Sequence, residues 1–147
     1  SHTLLQGAGY PVSTSICFEV VFGEQIIRDL PEAAMLVNVS NDAWFGKSLA
    51  PHQHLEMARM RARETGRPML RATNTGISAI IDHEGHVMQQ SPQFETAVIR
   101  GGVVPMQGAT PYVLLGNTPV VVFGVVSLLL CWFVCRRKHT GYQDPGS

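Results

Sequence analysis

The stretch STSICFEVVFGEQIIRDL, Ser13 to Leu30, changes its pattern at a single cysteine. Pro11 to Ile16 reads as the end of a β-strand. Glu24 to Leu30 reads as a short helix, with Glu24 and Arg28 at ion-pair spacing and Pro31 closing the segment. Cys17 therefore stands where a strand gives way to a helix. A tight turn there exposes the side chain, and the first N–H groups of a helix can stabilise both a thiolate and a developing oxyanion. A lone cysteine in an apolar run serves equally well as a small buried hydrophobe, so placement leaves a nucleophile and a core residue both open. Glu19, two residues on, fits a carboxylate at a helix start or a group orienting a substrate beside Cys17.

Working outward, AAMLVNVS (Ala33 to Ser40) is a short apolar run suited to a strand covered on its faces. NDAWFGKS follows as a loop, with Asn41 and Asp42 as turn formers and Gly46 freeing the backbone. His52 to Arg67 predicts an amphipathic helix with Leu55, Ala58 and Ala62 on one face and Gly66 as its C-cap. Next come a strand broken at Thr73 to Gly76, a turn at Asp82 to Gly85 and a return strand from His86. Phe94 to Pro105 reads as one more strand-like piece. This order of elements predicts an α/β layered sheet.

The 147 residues suffice for one domain with a real core. Eleven Lys plus Arg balance 11 Asp plus Glu, which argues against a nucleic-acid partner, since that needs a clustered positive surface. Charge is unevenly spread, and Gly101 to Cys135 contains no Asp, Glu, Lys or Arg. Pro119 to Cys135 is 17 residues without a charge or an amide, and extending back to Tyr112 gives 24, interrupted by Asn117 and Pro119. A bilayer core of roughly 30 Å needs about 20 apolar residues as a helix. Pro119 is tolerated near a helix start, and Trp132 suits an interface. Arg136, Arg137 and Lys138 end the run and favour a cytoplasmic tail. The expected organisation is a soluble part over 1–111, a transmembrane helix over 112–135 and a cytoplasmic tail over 136–147. Ser1 is not an initiator methionine and no signal peptide follows it, which predicts a chain cut from within a larger protein.

On this topology Cys131 and Cys135 lie in the span, and Cys17 is the lone cysteine outside it. It is buried and inert, paired with something upstream, or kept free for its thiol. Trp44 and Phe45 are two adjacent large aromatics in a polar loop. They either fold back onto the core or meet acyl chains and headgroups. His52 and His54, and His83 and His86, miss the H-E-x-x-H spacing, and no Cys-x-x-Cys pair accompanies them. No metal site is expected.

Three stretches carry a resemblance: SICFEVVFGEQ, then VSNDAWFGKSLAPHQHLEMARMRARETGRPMLRATNTGISAIIDHEG, then TPYVLLGNTP before the final span. Together they closely resemble the apolipoprotein N-acyltransferases, bacterial inner-membrane enzymes of lipoprotein maturation in the carbon–nitrogen hydrolase (nitrilase) superfamily. The resemblance runs from about Tyr10 to Arg137. It implies the C-terminal part of a periplasmic α-β-β-α sandwich joined to a transmembrane helix in a multi-pass protein. It also implies a Glu-Lys-Cys triad with Cys17 as nucleophile and with the Glu and Lys before Ser1. The isolated 147-residue fragment is then expected to be inactive. Phe18 occupies a position where the family often has Tyr. Glu19 matches the acidic residue beside the nucleophile, Asn41 a position in a loop near the active site, and Trp44 and Phe45 a lipid-contacting loop. The implied partners are a phospholipid acyl donor and a diacylglyceryl apolipoprotein acceptor, with neither metal nor nucleotide required.

Overall fold

A computed structural model describes residues 4–46 and 48–140, apart from the side chains of Phe45 and of 137–140. The expected tail over 136–147 therefore lies largely outside the described residues. The chain divides into two units, Ser1–Gly116 and Asn117–Ser147.

The first unit is a six-stranded mixed sheet in the order of the sequence. Strand β1 (Leu5–Gly7) pairs antiparallel with β2 (Tyr10–Ile16). Cys17–Val21 forms a 3-10 turn, followed by helix α1 (Gly23–Ile26) and a further 3-10 turn over Ile27–Asp29. The expected helix over Glu24–Leu30 is thus split into short pieces. Strand β3 (Met35–Ser40) then pairs parallel with β2. A 3-10 turn over Asp42–Phe45 leads to helix α2 (Ala50–Thr65), and β4 (Met69–Thr73) pairs parallel with β3. Strands β5 (Ala79–Ile81) and β6 (Val87–Gln90) complete the sheet antiparallel. Helix α3 (Pro111–Leu115) ends the unit, with Thr110 capping its start by accepting from Val113 N.

Helix α2 forms and stops for local reasons. Pro51 sits in its first turn, where a missing N–H costs nothing. Gly66 takes φ 63° as a left-handed C-cap, and its N–H bonds to the Ala62 and Arg63 carbonyls. Leu55, Ala58 and Ala62 face the sheet as their spacing predicted. They pack with Val20, Ile26, Leu36, Met69, Ile77, Ala79 and Ile81 into the core on one side of the sheet. Full burial of such large apolar side chains contributes about 1.5–3 kcal/mol each. Arg67, just past the cap, is buried and donates to the carbonyls of Ala33 (2.6 Å), Pro31 (3.1 Å) and Gly108 (2.6 Å). It ties three loops together behind α2.

The strand expected over Phe94–Pro105 is not formed. The segment has no ladder, Phe94 takes φ 64°, and Val98 and Val104 are exposed. β-branched residues make a strand only where an edge offers hydrogen bonds. Here Ile99–Gly101 instead lies across the second face of the sheet, beside Val37, Leu70 and Ile80.

The described residues of the second unit form helix α4 (Thr118–Thr140). It starts after Gly116, so Tyr112–Leu115 belongs to α3 and not to the long helix. Thr118–Arg136 is 19 residues of mean hydropathy 2.4 with none of the span buried. At ~1.5 Å per residue this is roughly 28 Å, enough to cross a bilayer core by length and composition. Ser127 satisfies its hydroxyl on the Phe123 carbonyl (2.8 Å), and the Arg136 guanidinium lies 5.3 Å from the Trp132 ring centroid.

Candidate active site

Cys17 is the first residue after β2 and takes φ 54°. A left-handed backbone at a non-glycine residue costs about 1–2 kcal/mol and persists only where its surroundings enforce it. Three sets of hydrogen bonds do so here. The Ile16 N–H donates to Glu19 Oε2 (2.7 Å), closing the turn on itself. The Asn38 side-chain amide donates to the Cys17 carbonyl (3.2 Å) and is shared with the Ser15 carbonyl (3.3 Å) and hydroxyl (3.0 Å). Arg61, reaching from α2, donates to the carbonyls of Val20 (3.1 Å) and Val21 (3.0 Å) at the far end of the turn and pairs with Glu64. The thiol is half-buried at the C-terminal ends of parallel strands, where open α/β sheets place their ligand sites.

Beneath the turn runs a buried polar row. Ser15, Asn38 and Arg71 are register partners on three adjacent parallel strands. Arg71 donates to Asn38 Oδ1 (2.6 Å), Asp42 Oδ2 (2.9 Å) and the Ile77 carbonyl (3.3 Å). The Asp42 and Arg71 side chains have no exposed surface. Ser40 donates its hydroxyl to Asp42 Oδ1 (2.5 Å). Gly76 makes room for the carboxylate, since a Cβ there would lie 2.2 Å from Asp42 Oδ2. His54 from α2 places Nδ1 3.0 Å from Arg71 Nη2 and 3.3 Å from Asp42 Oδ1.

Burial, and then the Arg71 charge, push the His54 imidazole below its ordinary value; Asp42 and the Cys17 backbone pull the other way without prevailing. His54 is therefore neutral, and Nδ1 suits an acceptor facing the guanidinium. The unfolded chain protonates first, near pH 6.5. Stability from this site is then fully present above about pH 6.5 and is lost as pH falls below it. The melting temperature of the full-length protein in detergent should drop between pH 7 and pH 5. His54→Asn should flatten that drop, and an unchanged slope in the variant would assign it to other groups.

The residues singled out in the sequence are placed as follows. Phe18 is half-exposed, edge-on to Phe22 (6.1 Å between centroids) and against the His54 ring (5.9 Å). Glu19 is exposed beside Cys17 and caps the turn. Asn41 accepts from Ala43 N (3.2 Å) and Asn74 Nδ2 (3.4 Å), fixing the start of the Asp42–Phe45 turn. Trp44 is 88 % exposed and is not folded onto the core. The Phe45 side chain lies outside the described residues. Asn38 and Arg71 carry no functional signal in the sequence analysis, His54 enters it only as a rejected metal ligand, and Asp42, a turn former by its local sequence, is the buried partner of Arg71. The available signal was one polar residue interrupting each of two apolar strands, MLVNVS and MLRAT.

Residues 2–110 match the carbon-nitrogen hydrolase family. The chain belongs to that family. A carbon-nitrogen hydrolase from Helicobacter pylori G27, at 12% identity, shares the fold with a TM-score of 0.53 over 60% of this chain and 38% of its own. The nitrilase-like α/β class expected from the sequence is thereby borne out. Within the family, the chain is 52% identical to an apolipoprotein N-acyltransferase of Methylococcus capsulatus over 98% of this chain. It is 56% identical to one of Nitrosomonas europaea over 84% of this chain, and 44% identical to one of Pseudomonas aeruginosa over 92%. It spans 29%, 24% and 26% of the length of these three relatives, respectively.

Proposed function

We propose that this chain carries the nucleophile of an N-acyltransferase of bacterial lipoprotein maturation. A fatty acyl group moves from a phospholipid, through a thioester on Cys17, to the N-terminal amine of a diacylglyceryl-cysteine apolipoprotein. The observation that carries this reading is the union, in one chain, of a cysteine on an enforced left-handed turn and a long exposed apolar helix. Hydrolysis of a small amide needs the first and has no use for the second. The names of the similar proteins support the same reading.

The chemistry proceeds in two displacements. A general base takes the Cys17 thiol proton. The thiolate attacks the ester carbonyl of the donor, and the tetrahedral intermediate collapses as the lysophospholipid alkoxide leaves and takes up that proton. The apolipoprotein amine then attacks the thioester, loses a proton to the base and forms an amide, while the thiol is regenerated. No oxidant, nucleotide or metal enters the balance. The base and an oxyanion-stabilising lysine are the Glu and Lys that the resemblance sets before Ser1, so the 147 residues alone should not turn over. Glu19, Phe18 and Asn41 line the approach to Cys17, and Trp44 and Phe45 meet the lipid. In this reading 1–111 is the C-terminal part of a periplasmic domain. Of the segment 112–135, the part from Thr118 spans the inner membrane, Tyr112–Leu115 precedes the span, and the tail after it is cytoplasmic.

The test is full-length protein in detergent, given labelled phosphatidylethanolamine and a diacylglyceryl peptide. Label on the peptide N-terminus supports the acyltransferase. Ammonia released from small amides, with no transfer, supports a membrane-tethered amidase instead. Trp44→Ala should change stability by no more than about 0.5 kcal/mol, as expected for an exposed side chain, while lowering the rate with phospholipid several-fold. A matching fall in melting temperature would contradict the lipid-contact role.

A further inference from the structure

The buried row beneath Cys17 is more elaborate than a structural ion pair needs. Asp42 alone would neutralise Arg71. The guanidinium nevertheless gives a separate N–H to Asn38 Oδ1, at 2.6 Å. That bond decides which way the Asn38 amide faces, because its oxygen must meet Arg71 and its nitrogen must then meet Ser15 and the Cys17 carbonyl. We propose that Arg71 is a positioning residue for the Cys17 nucleophile, acting through Asn38 to fix the left-handed turn, with its buried guanidinium lying beneath that turn.

This rests on the reading of Cys17 as the nucleophile. The route is short: Arg71 on β4 is the register partner of Asn38 on β3, Asn38 is the register partner of Ser15 on β2, and Cys17 follows two residues on. Neither end is free to drift, since Asp42 and the Ile77 carbonyl hold the guanidinium and Ser15 holds the amide. The charged and titratable groups around the turn are Glu19 on the turn itself, Asp42 after β3, His54 and Arg61 from α2, and Arg71 from β4. Glu19 is held by the Ile16 N–H, Arg61 is held by Glu64 and two carbonyls, and His54 is neutral. One side chain, Asn38, separates the Arg71 guanidinium from the Cys17 carbonyl.

The experiment uses full-length protein in detergent, with two readouts on each variant that retains its fold by melting. One is the rate of thioester formation from phosphatidylethanolamine. The other is the ratio of Cys17 alkylation rates by iodoacetamide at pH 7 and pH 9, which needs no acyl substrate. Arg71→Met should slow thioester formation at least about tenfold and lower the alkylation ratio several-fold; Arg71→Lys, which keeps the charge but not the fork, should recover the ratio and only part of the rate. Asn38→Asp has the same shape and still accepts from Arg71, but turns the donor that holds the Cys17 carbonyl into an acceptor. It should cost at least about tenfold in rate and decides the matter if Arg71→Met does not fold. A folded Arg71→Met with unchanged ratio and rate, or Asn38→Asp with the wild-type rate, would overturn the assignment. Absence of any thioester in the wild-type protein would instead count against the function proposed for Cys17, and the alkylation ratio would still judge Arg71.

Discussion

Cys17→Ala in the full-length protein is expected to reduce acyl transfer to background while the protein still inserts and melts within about 1 kcal/mol of wild type. Alanine retains the Cβ, and the restraints on the turn act on backbone groups, namely the Ile16 N–H and the carbonyls of Cys17, Val20 and Val21. The fold therefore loses one half-buried sulfur and no hydrogen bond. On the proposed mechanism the reaction loses the sulfur that takes up the acyl group. Residual transfer above about one part in a thousand of the wild-type rate would mean direct attack of the amine on the phospholipid. In that case Cys17 is a packing residue.

The largest expected stability effect lies one layer deeper. Asp42→Ala removes the counter-charge of Arg71 in a place without exposed surface, and it deprives the Ser40 hydroxyl of its acceptor and His54 of its carboxylate neighbour. Breaking a fully buried pair from one side costs about 3–5 kcal/mol, because the remaining charge stays desolvated. Typical domains have only about 5–15 kcal/mol in total, so the variant should lose a large share of its stability and accumulate poorly. Asp42→Asn, which still accepts a hydrogen bond, should lose less. Melting of the detergent-solubilised full-length variants measures both. A wild-type melting temperature for Asp42→Ala would show that Arg71 swings out to water, and the buried row would then not be the rigid support described.

Much of this was legible in the sequence, for local reasons. The strand before Cys17, helix α2 with its stop at Gly66, and the apolar run of α4 each follow from spacing and breakers within a few residues of one another. The cysteine at the strand end was legible for the same reason. The row Ser15–Asn38–Arg71 was not. Its members are 23 and 33 residues apart, and only sheet register brings them together. Asp42 looked like one more turn residue beside Asn41 because a carboxylate at a turn and a carboxylate under it have the same local sequence. Phe94–Pro105 misled in the opposite sense. Its valines and isoleucine suit a strand, but no ladder forms there, and propensity without a partner does not make a strand.

Peptide mass spectrometry on Cys17 is the measurement to make, on full-length protein purified from membranes and incubated with phosphatidylethanolamine in the absence of acceptor. A fatty-acyl adduct on Cys17, released by hydroxylamine, is the predicted result. A free Cys17 thiol in folded protein that still acylates the acceptor peptide would contradict the account.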